Sequence, residues 1–124
     1  MRFAFEFHDS ELRDVVTDGD AMHLRLAAAS VRDDQGRRGW LTSVQLTLTG
    51  ATLAGDARHA FGKVVEGRLE RGGQPVRPLA LPGTLAGDLD LALHFANGTA
   101  LTLRGRTFAA SVADDARFAE DLSC

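Results

Sequence analysis

The sequence DLDLALHFANGTALTLRGR, residues 88–106, decides the fold, because apolar and polar residues alternate on both sides of an Asn-Gly turn. A two-residue turn would place Leu91 opposite Arg104 and put a charge on the apolar face. A one-residue change of register moves every side chain to the other face, so the choice is sharp. A three-residue loop, 96–98, keeps the apolar face intact. The apolar pairs are then Leu93 with Leu101 and Leu91 with Leu103.

The same register pairs charges on the other face of this hairpin. Asp90 lies opposite Arg104, and Asp88 lies opposite Arg106. A guanidinium lowers the pKa of a neighbouring carboxyl, which is unsuited to a general acid, so we interpret both carboxylates as ladder partners. Gly98 supplies the left-handed residue of a type I turn with a G1 bulge.

The same two-residue alternation occurs elsewhere in the chain, which favours antiparallel strands covered on one face. Asp18-Gly19 and Gly72-Gly73 supply turns between such segments. The stretch 75–82 holds three prolines, which predicts a loop or an interrupted edge strand. The other alternating apolar sets are Phe3, Phe5 and Phe7; Met22, Leu24, Leu26 and Ala28; and Val44, Leu46 and Leu48.

Residues 114–122 differ, with acidic residues at the start, good helix formers, and Phe118 and Leu122 four positions apart. We predict a short carboxyl-terminal helix there, docked by these two side chains. The fold class is then mainly all-β: a single domain, 1–124, built as an antiparallel β-sandwich or flattened barrel of about seven to nine strands.

Composition narrows the classes of function. The 124 residues carry a net charge of −3 without a basic cluster, which argues against nucleic-acid binding. One cysteine, Cys124, cannot form an internal disulfide, and we interpret it as a spare thiol. The amino end lacks the pattern of a signal peptide, and no apolar stretch is long enough to span a membrane. Arg outnumbers Lys in an Ala- and Gly-rich chain, an association with GC-rich bacterial genomes, so we expect a bacterial cytoplasmic protein.

His8-Asp9-Ser10 contains the residue types of a hydrolase triad. Consecutive residues of an extended chain point in different directions, however, and no G-x-S-x-G elbow is present. The simpler interpretation is that Asp9 and Ser10 end the first strand by bonding to nearby backbone groups. His8 and Asp9 are kept as candidate binding residues, and no catalytic residue is assigned.

Metal and cofactor patterns are lacking in the sequence. The histidines are His8, His23, His59 and His94, and none lies at the short spacing of paired metal ligands. The segment around Asp33 lacks the order of a calcium loop, and no phosphate-binding glycine motif occurs. We therefore expect no metal and no cofactor.

Arg37-Arg38-Gly39-Trp40 has the composition of a binding hot spot, since a lone tryptophan beside arginines leads from a polar loop into a strand. Trp40 has an alternative role as a cap on the end of the core. Both interpretations are open.

Three functions follow from these features. The first is a non-catalytic binding or interaction module that recognises a protein partner or forms a homodimer through a sheet edge. The second is a carrier for a small apolar ligand, which requires that Phe3, Phe5, Phe7 and Phe95 line a void instead of filling the interior. The third is a hydrolase whose His, Asp and Ser residues converge in space.

Overall fold

A computed structural model describes residues 2–122 and shows strands connected by turns. A single 3-10 turn, Ala57–His59, lies between the fifth and sixth strands. No helix in residues 2–122 is long and apolar enough to cross a bilayer. The strands are β1 (Phe3–Asp18), β2 (Ala21–Arg32), β3 (Arg38–Leu41), β4 (Val44–Thr49), β5 (Thr52–Gly55), β6 (Gly62–Arg71), β7 (Gln74–Pro75), β8 (Leu79–Leu81), β9 (Gly83–Phe95), β10 (Ala100–Val112) and β11 (Phe118–Glu120).

Six of these strands close into an antiparallel barrel in the order β1-β2-β4-β10-β9-β6, with β6 paired back to β1. The all-β antiparallel prediction is confirmed, and a barrel forms. The eleven strands exceed the predicted seven to nine, because five short strands add to the barrel wall. β5 continues along β10, β7 pairs with β6, β8 with β1, and β3 and β11 extend β2.

The barrel interior is filled by the inward residues of the alternating strands. Leu91, Leu93, Leu101 and Leu103 are at most 2% exposed. The four phenylalanines whose placement separates a filled interior from a void are also buried, at 2–7% exposure. Phe5 and Phe7 meet edge to face, with ring centroids 5.0 Å apart.

The β9–β10 hairpin has the predicted register at its turn. Leu93 pairs with Leu101, Leu91 with Leu103, and Asp90 with Arg104. Gly98 has a φ of 88° and donates its N–H to the carbonyl of Phe95 at 3.0 Å, which closes the three-residue loop.

The predicted pairing of Asp88 with Arg106 is wrong. A bulge between Gly105 and Thr107 shifts the register before Arg106 reaches Asp88. The bulge lies where Gly105 approaches β4 closely, since a Cβ on this glycine would lie 3.1 Å from Leu48. The register set by the turn at residues 96–98 therefore extends only as far as Gly105, where β10 lies close to β4.

The predicted carboxyl-terminal helix over 114–122 is also wrong. Residues 118–120 form β11 and pair with β3, while Leu122 is 79% exposed. Phe118 instead turns inward, and its ring centroid lies 5.6 Å from that of Phe3. So short a helix is not stable alone, whereas β11 gains a ladder with β3 and an aromatic contact. Cys124 lies outside the described residues.

Candidate functional site

A kink in β1 positions the candidate residues His8 and Asp9. Glu6 pairs with Ser30 of β2, and Glu11 pairs with Ala28, so four residues of β1 oppose a single residue of β2. Asp9 takes a φ of 69°, the left-handed conformation that aspartate tolerates better than most residues. This bulge transfers β1 from its partner β8 to its partner β6.

Ser10 holds the kink from inside. Its hydroxyl is fully buried, donates to the carbonyl of Glu6 at 2.7 Å and accepts from the N–H of Ser30 at 2.8 Å. Because its proton is already donated to a backbone carbonyl, the geometry gives Ser10 a structural role.

His8 and Asp9 connect β1 to β6 on the outer surface. The Nδ1–H of His8 donates to the carbonyl of Val65 at 2.8 Å, while its Nε2 lies 3.4 Å from Asp9. Asp9 also lies 3.1 Å from the Nζ of Lys63. The contacts of these two candidate binding residues therefore join strand β1 to strand β6.

The other histidines have different neighbours, and His94 lies opposite Glu66 across the β6–β9 ladder. His23 lies 2.9 Å from the hydroxyl of Thr47, and His59 donates to Asp56 at 2.6 Å. Within residues 2–122, no group of three His, Cys, Asp or Glu side chains is arranged to hold a metal ion.

The loop between β2 and β3 is organised by Asp33. Its carboxylate accepts hydrogen bonds from the N–H of Gln35 at 2.9 Å, from the N–H of Arg37 at 2.9 Å, and from the Nε of Arg37 at 2.7 Å. Desolvation acts to raise the pKa of Asp33, but the bonds from Arg37 and Gln35 outweigh it and lower that pKa below the ordinary value of 3.8. Gly36, with a φ of 80°, completes the turn.

Arg37, a candidate binding residue, helps to hold the β2–β3 loop in place. Its Nε lies 2.7 Å from Asp33 and 3.9 Å from Glu120 of β11. The hydrogen bond to Asp33 raises the pKa of the Arg37 guanidinium. These contacts join the loop to β11. The charge of Arg37 is therefore already paired with carboxylates, and its role is structural.

Arg38 and Trp40 lie on the outer face of β3, where Gly39 and Leu41 point inward. Across the ladder, Arg38 faces Arg32 and Trp40 faces Ser30. We call Arg32, Arg38 and Trp40 the arginine–tryptophan face.

Trp40 is half-buried and is not among the side chains packed on the core. We therefore assign its indole to the arginine–tryptophan face. The sequence analysis did not identify Arg32 as a candidate. The length of the β2–β3 connection could have revealed it, because a connection of five residues brings positions 32 and 38 opposite each other.

The two arginines of this face lie opposite each other, and Asp121 lies on the other side of Arg38, where its N–H donates to the Arg38 carbonyl at 2.8 Å. Arg38 makes no ion pair or side-chain hydrogen bond within residues 2–122. Arg32 only donates to the carbonyl of Gly36 at 3.4 Å, a long contact. Like charges directly opposite each other disfavour a ladder pair, so a bound anion would stabilise this arrangement.

Two grooves open on the surface. One, of about 590 Å³, contains Arg25, whose Nε donates to Asp14 at 2.6 Å. This hydrogen bond holds the pKa of Asp14 below its usual value. The other, of about 550 Å³, lies between β1 and β6 and is called the seam groove below. Its walls come from Phe5–His8, Val65–Leu69 and Pro75–Leu79.

Comparison of the chain with models of protein families, with curated proteins and with solved structures found no match.

Proposed function

We propose that this protein is a non-catalytic binding module that recognises an acidic segment of a protein partner through the arginine–tryptophan face. One observation carries the proposal: Arg32 lies opposite Arg38, beside Trp40, and neither guanidinium is in any of the ion pairs of residues 2–122. The partner's carboxylates would neutralise both guanidinium groups at once.

The chemistry of these side chains fits carboxylates. A guanidinium group binds a carboxylate through two parallel N–H donors, and arginine loses little conformational freedom per bond formed. Trp40 adds a rigid apolar surface with one N–H donor, and tryptophan and arginine are enriched at the centres of protein interfaces. Asp33 and Arg37 hold together the loop that joins β2 to β3 next to Arg32 and Arg38.

A protein partner suits this face better than nucleic acid. Two arginines form a small cationic patch on a chain with a net charge of −3, whereas backbone binding to nucleic acid uses many phosphate contacts. The bacterial cytoplasm is the proposed setting, in keeping with the low cysteine content.

The carrier and hydrolase alternatives find less support. The phenylalanines of the carrier hypothesis are packed in the core. The hydrolase hypothesis needs a nucleophile, and Ser10 is buried with its hydroxyl bonded to backbone groups. Self-association through a sheet edge is limited by the length of the edge strand. β11 lies at one end of the strand order and has three residues, so it offers few backbone groups for pairing with a second copy.

Calorimetric titration with an acetylated octaglutamate amide tests the proposal. Arg38→Ala should weaken binding by about tenfold, as expected for the loss of a charge-assisted contact at a hot spot. Arg58→Ala is the matched control, since this arginine is highly exposed and lies in the 3-10 turn. Binding should also weaken as salt is raised. Equal affinities of the two variants would refute the proposal.

A further inference from the structure

The seam groove lies where three ladders of the barrel wall end. The β1–β6 ladder has two residue pairs and ends at Glu11, and the β6–β7 ladder has two pairs and ends at Glu70. β1 pairs instead with β8, up to Phe5. The groove therefore opens over Val65–Leu69 of β6, among the ends of these ladders.

The floor of the groove is closed. A Cβ on Gly67 would lie 2.4 Å from the Cβ of Phe7, so β1 and β6 are already neighbours at this point. The carbonyl of Val65 accepts a hydrogen bond from His8 at 2.8 Å. The carbonyl of Leu69 accepts one at 2.9 Å from the N–H of the residue that follows β7. Since these carbonyls already have donors, an occupant of the groove must be recognised by side chains.

Apolar side chains form one part of the wall. Val65 is 42% exposed, and Val76 is half-buried against the core. Pro75 and Pro78 are exposed beside them and also line the groove. The volume of about 550 Å³ lies within the range of about 300–1,000 Å³ that is typical of small-molecule sites. This part of the wall suits an apolar group of a small ligand.

Charged side chains of both signs line the same groove. Glu6 of β1, Glu66 of β6 and Arg77 of the β7–β8 connection are in none of the ion pairs of residues 2–122. Arg68 also contributes to the lining, but its Nε lies 3.7 Å from Glu70. The groove therefore has two carboxylates and one guanidinium that are available to a ligand.

The ladders separate the two signs along the groove. Arg77 lies two residues before Leu79, the residue of β8 that pairs with Phe5. Glu66 lies beyond Gly67, toward the other end of the groove, and faces His94 of β9. A ligand with a positive and a negative group can therefore contact both signs at once.

We propose that the seam groove binds a small zwitterion with an apolar side chain, an amino acid of the class of phenylalanine or leucine. The ammonium group of the ligand contacts Glu6 and Glu66, and its carboxylate accepts two parallel N–H bonds from Arg77. The apolar side chain lies against Val65 and the neighbouring prolines. This site is separate from the arginine–tryptophan face, so each of the two proposals can fail without the other.

Titration of the full ¹⁵N-labelled chain with L-phenylalanine tests the proposal. Amide resonances of Glu6–His8 and Val65–Leu69 should shift to saturation. N-acetyl-L-phenylalanine lacks the ammonium group that faces two carboxylates and should bind about tenfold more weakly. L-phenylalaninamide lacks the carboxylate and should bind about threefold more weakly. Glycine, which lacks the apolar side chain, should bind about tenfold more weakly.

Variants of the lining connect the shifts to the groove. Glu66→Gln and Arg77→Gln should each weaken binding of L-phenylalanine about threefold. The matched controls are Asp34→Asn, on the β2–β3 loop, and Arg58→Gln, in the 3-10 turn, and both should leave binding unchanged. If Glu66→Gln loses the dispersed spectrum of a folded chain, Glu6→Gln replaces it and should weaken binding in the same direction.

Three results would overturn the proposal: no shift along Val65–Leu69, equal binding of L-phenylalanine and its acetylated form, or equal effects of the lining variants and their controls. Tighter binding of L-phenylalaninamide than of L-phenylalanine would also overturn it, because the groove would then select an amine and not a zwitterion.

Discussion

The hydroxyl of Ser10 on β1 accepts a hydrogen bond from the backbone N–H of Ser30 on β2, at 2.8 Å and out of contact with water. This bond fills the place in the ladder that the four-residue bulge leaves without a strand partner. The position of His8 and the opening of the seam groove both depend on the bulge.

Ser10→Ala should therefore destabilise the protein by about 1–3 kcal/mol, because it leaves a buried N–H without an acceptor. Urea unfolding measures the change in the free energy of unfolding. Ser111→Ala is the control, since that exposed hydroxyl makes only a long 3.4 Å contact, and it should cost no more than about 0.5 kcal/mol. Equal effects of the two substitutions would remove the role assigned to Ser10.

Phe118→Ala should destabilise the protein by about 1–2 kcal/mol, since it removes a half-buried ring from contact with Phe3. Leu122→Ala should change the free energy of unfolding by less than about 0.5 kcal/mol, because Leu122 is exposed. A helix docked by both side chains would instead make both substitutions costly, so thermal unfolding of the pair distinguishes the two structures.

The Asp33 loop predicts a pH dependence. The folded-state pKa of Asp33 is lowered, so its contribution to stability is complete above the ordinary value of 3.8 and is lost as the pH falls below it. Asp33→Asn should be less stable than wild type at neutral pH, and the difference should shrink below pH 3.8. Asp34→Asn is the control, since it removes the adjacent carboxylate of the same loop, and it should cost less stability than Asp33→Asn at neutral pH. A constant difference for Asp33→Asn would contradict the assignment.

Arg32→Glu should raise stability and abolish binding of acidic peptides together. The substitution replaces a like-charge pair with an opposite-charge pair facing Arg38, a gain of about 0.2–1 kcal/mol. Arg104→Glu is the matched control on β10, where the same change breaks the 2.9 Å ion pair with Asp90 and should lower stability. Melting temperatures that shift in the same direction for both variants would show that Arg32 does not repel Arg38.

Local chemistry decided what could be predicted of the fold. The register at residues 96–98 follows from one turn and the residues beside it, and it is confirmed. The bulge at Gly105 depends on contact with Leu48, and β11 depends on pairing with β3. These partners are remote in sequence, so alternation and helix propensity near each segment did not reveal them.

The candidate site was predictable in part for the same reason. Arg38 and Trp40 could be identified as candidates because they lie close together in the sequence. Arg32 lies next to them only because β2 pairs with β3. Arg37 looked equivalent to Arg38, but strand alternation and the Asp33 loop give it a structural role. The seam groove left no local signal, because it arises where two ladders of β6 fail to meet.

The chain has one tryptophan, so the indole Nε1–H resonance of Trp40 reports directly on the arginine–tryptophan face. Titration with the octaglutamate peptide should shift this resonance to saturation, and the shift should be lost in the Arg32→Ala/Arg38→Ala double variant. An indole resonance that stays in place, or that moves equally with octalysine, would contradict an acidic-segment binding surface.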